Sequence, residues 1–226
     1  MADNDAHETG QVYQGKIMSV LNRLAHSQNR RDEVPNQELA RDLAANKDKK
    51  GIREIAENLW SKDKNIQADC IKVLYEVGVI EPKLIADYAE DFVKCLRSKN
   101  NRLVWGGMTA LTEVAKANPD AVFKHVDEIK KAKETGSVIT VDNAISTLAF
   151  TASANDKYNK VIFPYLLKHL SDCRPKEVPQ HSEKTLPAVN ASNKADFIKV
   201  LEKRIEDLSG SGLSRVKKVI KQTASL

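Results

Sequence analysis

Residues 59–74 read Leu59-Trp60-Ser61-Lys62-Asp63-Lys64-Asn65-Ile66-Gln67-Ala68-Asp69-Cys70-Ile71-Lys72-Val73-Leu74. The same plan returns 37 residues later as Cys95-Leu96-Arg97-Ser98-Lys99-Asn100-Asn101-Arg102-Leu103-Val104-Trp105, continuing to Ala110-Leu111. In both copies an apolar end meets a short polar turn, and apolar residues then recur at steps of three and four. That spacing gives a helix one buried face. The period of 37 extends outward: Ile55, Phe92, Ile129 and Leu166 obey it, as do Leu74, Leu111 and Leu148, and Ile71, Met108 and Ile145. A fixed period of this length predicts stacked helix pairs, because one pair cannot bury both of its apolar stripes alone.

Two helices and one short turn make each unit. The first helix carries a stripe such as Ile52, Ile55, Ala56 and Leu59, or Ile85, Tyr88, Ala89, Phe92 and Leu96. The turns are Ser61-Lys62-Asp63-Lys64, Ser98-Lys99-Asn100-Asn101 and Glu134-Thr135-Gly136-Ser137. Connections this short force antiparallel neighbours. The expected class is all-α, a right-handed α–α superhelix built as a solenoid of antiparallel helix pairs. Units are expected at about 52–83, 84–120, 121–157, 158–194 and 195–226, within a repeat region spanning 51–226. Residues 1–10 read as a disordered tail. Residues 11–50 read as N-terminal capping helices, one over 11–27 and a second opened by Pro35. The fourth unit is broken by Pro175, Pro179 and Pro187. Pro179 is expected near the start of its second helix and Pro187 at the end, with a loop over 172–178. Ser209-Gly210-Ser211-Gly212 reads as a flexible break before a last helix over 213–222.

Composition agrees with helices packed through aliphatic ridges: 41% of residues are hydrophobic but only 5% aromatic. The net charge of +5 is uneven, since residues 121–226 carry 18 Lys/Arg against 12 Asp/Glu. A surplus of that size over so long a stretch falls short of a strong nucleic-acid footprint. Cys70, Cys95 and Cys173 are odd in number with no CxxC pair, which points to a reducing, cytoplasmic setting. Cys70 and Cys95 read as core residues and Cys173 as an exposed turn residue. No secretory signal pattern and no membrane-spanning apolar run are present.

These units resemble HEAT repeats, relatives of the armadillo repeats, over about residues 50–190. The Arg that usually follows the turn is absent or displaced, and Gln67 stands in its place in the first copy. The resemblance implies a non-catalytic scaffold that binds a protein or peptide on its concave face, which the second helices line. The candidate contacts there are Asp69, Lys72, Arg102, Trp105, Thr109, Asp142, Asn143 and Ser146. Trp105 stands where the neighbouring copies have Ala68 and Asp142, and Gly106-Gly107 follow it inside a helix. Glycines cost about 1 kcal/mol each there, which predicts a close approach. Trp60 ends a first helix and reads as structural.

An alternative is a nucleic-acid-binding solenoid. A Trp and an Asp on a repeat surface are similar to the arrangement in HEAT-like DNA glycosylases that excise alkylated bases. Here Thr109, not an acid, lies one turn beyond Trp105. Arg215, Lys217, Lys218 and Lys221 would be the phosphate contacts. No catalytic constellation is legible, with neither a GxSxG elbow nor a Gly-rich phosphate loop. No cofactor and no metal are expected: His7, His26, His125, His169 and His181 show no ligand spacing, and no cysteine is placed to join them.

Overall fold

The computed structural model describes residues 19–226. Among them are twelve α-helices and no strand. They are α1 (Val34–Ala45), α2 (Lys49–Glu57), α3 (Lys64–Ile80), α4 (Ala89–Cys95), α5 (Asn101–Ala117) and α6 (Pro119–Phe123). There follow α7 (Val126–Thr135), α8 (Val138–Ser153), α9 (Asp156–Asp172), α10 (Val178–Thr185), α11 (Lys194–Arg204) and α12 (Gly210–Ala224). The architecture is the expected all-α superhelix of antiparallel pairs. Helices α1, α3, α5, α8, α10 and α12 pack in succession as one layer, each on the next. The partners α2, α4, α7, α9 and α11 lie outside it.

The 37-residue period is physical at three levels. Its apolar columns are buried: Ile55, Phe92, Ile129 and Leu166 are fully enclosed, and so are Leu74, Leu111 and Leu148. Its helix starts coincide, because Asp63, Asn100 and Ser137 stand 37 apart and each N-caps the second helix of a pair. The Asp63 and Asn100 side chains accept from the backbone N–H two residues on, at 2.8 and 3.1 Å. Such caps satisfy donors that the first turn leaves open, each worth about 1 kcal/mol. Its helix ends coincide too: α3 and α5 both stop one residue before a non-helical Glu81 or Asn118, each with φ −143°, and Pro82 or Pro119 follows.

Gly107 sets how closely α5 lies on α4. A Cβ there would sit 2.8 Å from the Cys95 Cβ and 2.9 Å from the Phe92 carbonyl oxygen. Phe92 and Cys95 are both fully buried, so neither can yield cheaply. The glycine's cost in helix propensity is the condition for this contact.

The fourth pair departs as the prolines require. Pro175 opens a 3-10 turn (Pro175–Glu177), Pro179 lies in the first turn of α10, and Pro187 sits in a 3-10 turn (Leu186–Ala188) that ends it. Asn159 occupies the column of Ile85 and Val122, both fully buried. Its amide donates to the Ala188 carbonyl at 2.7 Å, and its Oδ1 accepts from Asn193 Nδ2 at 2.9 Å. A polar residue has replaced an apolar one where the shortened helix leaves a carbonyl inside.

Three expectations are corrected. Residues 19–28 form two 3-10 turns (Val20–Arg23 and His26–Gln28), not the end of an α-helix. Residues 1–18, with the tail and the first part of that helix, lie outside the described residues. The Gly-Ser-Gly stretch is no break, for Gly210 begins α12 and supplies its positive φ of 54°. Cys173 is buried, as its backbone N–H closes the end of α9 on the His169 carbonyl. Burial pushes the Cys70 and Cys95 thiols up to about 12, in keeping with inert core residues.

Two substitutions test these contacts. Gly107→Ala should lower stability by about 1–3 kcal/mol despite its better helix propensity. A raised urea midpoint would mean that α4 gives way without cost. Asn159→Leu restores the apolar column yet should destabilise by about 1–3 kcal/mol, because it removes two buried hydrogen bonds and leaves only the 3.0 Å bond from Asn193 to the Ala188 carbonyl. An unchanged melting temperature would contradict the role given to the amide.

Candidate functional site

The turns before α1 fold back over α3, and several bonds fix them there. The His26 N–H donates to Asp69 Oδ2 at 2.7 Å, the His26 ring meets Asp63 at 3.1 Å, and the Ala25 N–H donates to the buried Asn36 at 3.0 Å. Between this connector, α3 and α5 lies a pocket of about 540 Å³. Asp69, Lys72, Arg102 and Trp105 all line it, together with Ala25, His26, Arg30, Arg31, Asp32, Glu33, Asn36, Asn65 and Ala68.

Trp105 is half-buried. Part of its ring packs on the core, and the ring centroid lies 5.9 Å from that of Tyr75 in a tilted arrangement. The remainder lines the pocket. Gly106, the next residue, serves the packing of α5 on α3, since a Cβ would meet Ile71 at 2.7 Å. The two glycines therefore let helices approach one another and do not make room for the indole.

The charges divide unequally. Lys72 is buried, and its ammonium pairs with Glu33 at 2.8 Å and Glu76 at 2.7 Å. Burial alone would push that ammonium down, but the two carboxylate hydrogen bonds outweigh it and hold it above the ordinary lysine value. Arg30 pairs with Asp32. Among the described residues, no carboxylate lies within ion-pair distance of Arg31 or Arg102. The lining therefore mixes both signs, and two of its guanidinium groups have no ion-pair partner among the described residues.

The other four candidates do not line this pocket. Thr109 donates to the Trp105 carbonyl at 2.8 Å and accepts from Asn143 Nδ2 at 2.9 Å, which ties α5 to α8. Asp142 accepts from Gln180 Nε2 and from His181 Nε2, each at 2.8 Å. Ser146 is buried and accepts from Lys184 at 3.1 Å. Burial pushes the Lys184 ammonium down. These residues link α5, α8 and α10. Of the C-terminal cations, Arg215 is engaged by Glu183 at 2.6 and 2.9 Å, while Lys217, Lys218 and Lys221 are exposed. Trp60 is 46% exposed.

One group of side chains that no sequence spacing joins comes together in the fold. His169, Cys173 and His181 converge, with ligand-capable atoms all within 4.8 Å of one another. His169 Nε2 and His181 Nδ1 are 2.9 Å apart. The His169 imidazole is pushed down to about 4, chiefly by burial and then by the nearby Lys133 and His181. The legible signal was the four-residue step from His169 to Cys173, which puts both on one side of a helix end. His181 comes from the proline-broken helix, which no spacing rule could align. Arg30 and Arg31 lie before the repeat region, so no column of the 37-residue period points to them.

No family model matches the chain, and no curated protein matches it. Solved structures do. An engineered protein of the Northeast Structural Genomics Consortium matches with a TM-score of 0.64 and 19% identity, covering 92% of this chain and 98% of that one. A designed armadillo repeat protein matches with a TM-score of 0.58 and 14% identity, covering 89% and 98%. Kap121p, in its complex with Pho4p, matches with a TM-score of 0.59 and 15% identity, over 90% of this chain and 22% of that one. At these identities the likeness is one of fold, and the chain has a HEAT/armadillo-like helical repeat fold.

Proposed function

We propose that this protein is a non-catalytic scaffold that holds a protein segment in the pocket framed by the connector, α3 and α5. Trp105 is the apolar anchor, and Arg31 and Arg102 receive acidic groups of the segment. The observation that carries this is the half-buried indole that shares one pocket with two guanidinium groups without carboxylate partners among the described residues. Aromatic and Arg side chains supply most of the affinity at protein interfaces. Asp69 and the Lys72–Glu33 pair act as the fixed rim, already engaged within the fold. Thr109, Asp142 and Asn143, half-buried on α5 and α8, extend the groove for a longer segment, and the buried Ser146 supports it from within through Lys184. A fold neighbour bound to another protein supports the reading by analogy alone. Free cysteines at all three positions favour a cytoplasmic setting.

Nucleic acid is the less favoured occupant. Asp32, Glu33 and Asp69 line the pocket, and Asp142 follows on α8. A backbone charged at every nucleotide would therefore meet carboxylates that a segment with one or two acidic groups, placed at Arg31 and Arg102, avoids.

Panning a displayed peptide library on the wild-type protein should enrich segments that combine an apolar residue with Asp or Glu. Trp105→Ala should weaken the enriched peptides at least about tenfold, or about 1.4 kcal/mol. Arg102→Glu, a surface change, should do the same and reduce their salt dependence, Arg31 remaining. Peptides indifferent to both variants would contradict the assignment. Salt-sensitive binding of duplex DNA in place of peptide enrichment would favour the other occupant.

A further inference from the structure

His169 lies in the last turn of α9, Cys173 caps that helix, and His181 lies in the first turn of α10. Two imidazoles and a thiol are the donor set of a borderline-to-soft divalent ion, whereas hard cations take oxygen ligands. Zinc–nitrogen and zinc–sulfur bonds of about 2.0–2.3 Å place tetrahedral donors roughly 3.3–3.8 Å apart. The donors here bracket that range, with the nitrogens 2.9 Å apart and no pair beyond 4.8 Å.

The surroundings fit an ion. Asp142 accepts from His181 Nε2, which leaves the lone pair of His181 on Nδ1, facing His169 and Cys173. A carboxylate behind a ligating histidine fixes its tautomer in this way. Arg204 donates to the carbonyls of Leu170, Ser171 and Cys173 at 2.6–2.8 Å, so the helix end that presents the thiol is held in place. Lys133 faces His169 from α7 but is drawn aside by the Tyr165 hydroxyl at 3.2 Å and by its ring. The Cys173 thiolate and Asp142 balance the two charges of the ion.

We propose that His169, Cys173 and His181 bind one divalent cation of the zinc class, which staples α9 to α10. The thiol loses its proton to solvent as the sulfur–metal bond forms. His169 moves its proton from Nε2 to Nδ1, and the ion replaces the hydrogen bond between the two rings. His169 is only half-buried, so water can take the fourth position.

The probe is Co2+, added to the full chain after chelator treatment. One equivalent should produce a thiolate-to-cobalt charge-transfer band with strong tetrahedral visible bands, and Zn2+ should erase both. Excess Zn2+ should raise the melting temperature of the wild-type protein. Cys173→Ser, a one-atom change, should abolish the charge-transfer band, and His169→Gln should weaken cobalt binding at least tenfold. Circular dichroism of the chelated variants establishes that they are folded. A missing thiolate band at saturating Co2+, a band that survives Cys173→Ser, or a melting temperature indifferent to Zn2+ would overturn the proposal.

Discussion

Two short helices joined by a tight turn can bury one apolar stripe between themselves, and the second stripe must find another pair. Everything else in this molecule depends on that need. The layer α3, α5, α8 answers it through two buried columns, Ile71/Met108/Ile145 and Leu74/Leu111/Leu148. Because each helix touches only its neighbours, stability is a sum of local units and interfaces. Gly106 and Gly107 show how close these interfaces run, since one added carbon would collide with Ile71 on one side and with α4 on the other. The ends of the layer are covered by different means. At the N-terminal end, α1 and the pinned connector lie on α3, and at the other end α12 lies on α10 and α11.

Where the columns keep their character they make the fold, and where they change they make sites. The column Ala68/Trp105/Asp142 is the clearest case. Ala68 is buried, Trp105 places an indole in the pocket, and Asp142 turns a carboxylate toward Gln180 and His181. One structural position thus supplies the proposed anchor of a binding pocket and the carboxylate behind a candidate metal ligand. The fourth pair shows the same logic. Its prolines shorten α10, buried Asn159 and Asn193 satisfy the exposed helix end, and the altered path brings His181 to His169 and Cys173.

The fold was legible because its determinants are local and repeated. The caps Asp63, Asn100 and Ser137 and the prolines act within one turn of themselves, and the apolar columns show as a three- and four-residue pattern repeated every 37 residues. Four of the eight candidate residues lie in one pocket, because second helices face one side by construction. Lys72 was legible in place but not in role, since its partner Glu33 lies outside the period and only the folded connector brings it near. The 3-10 turns at 20–28 were missed because Val20, Leu21 and Leu24 suit a short turn as well as a helix. The histidine–cysteine cluster was missed because its third member arrives through a proline-shaped path, and linear spacing is blind to such a path.

The central functional claim is that Trp105 stands in an open pocket beside two cationic groups not neutralised by the described residues. Trp60→Phe leaves Trp105 as the only tryptophan, and Trp60 is exposed enough to be replaced without disturbing the core. Quenching of the remaining fluorescence by iodide and by caesium then reads both properties at once. The account predicts that iodide quenches more strongly than caesium, and that the difference shrinks with added salt as Arg31 and Arg102 are screened. A Trp105 shielded from both ions, or quenched better by caesium, would contradict it.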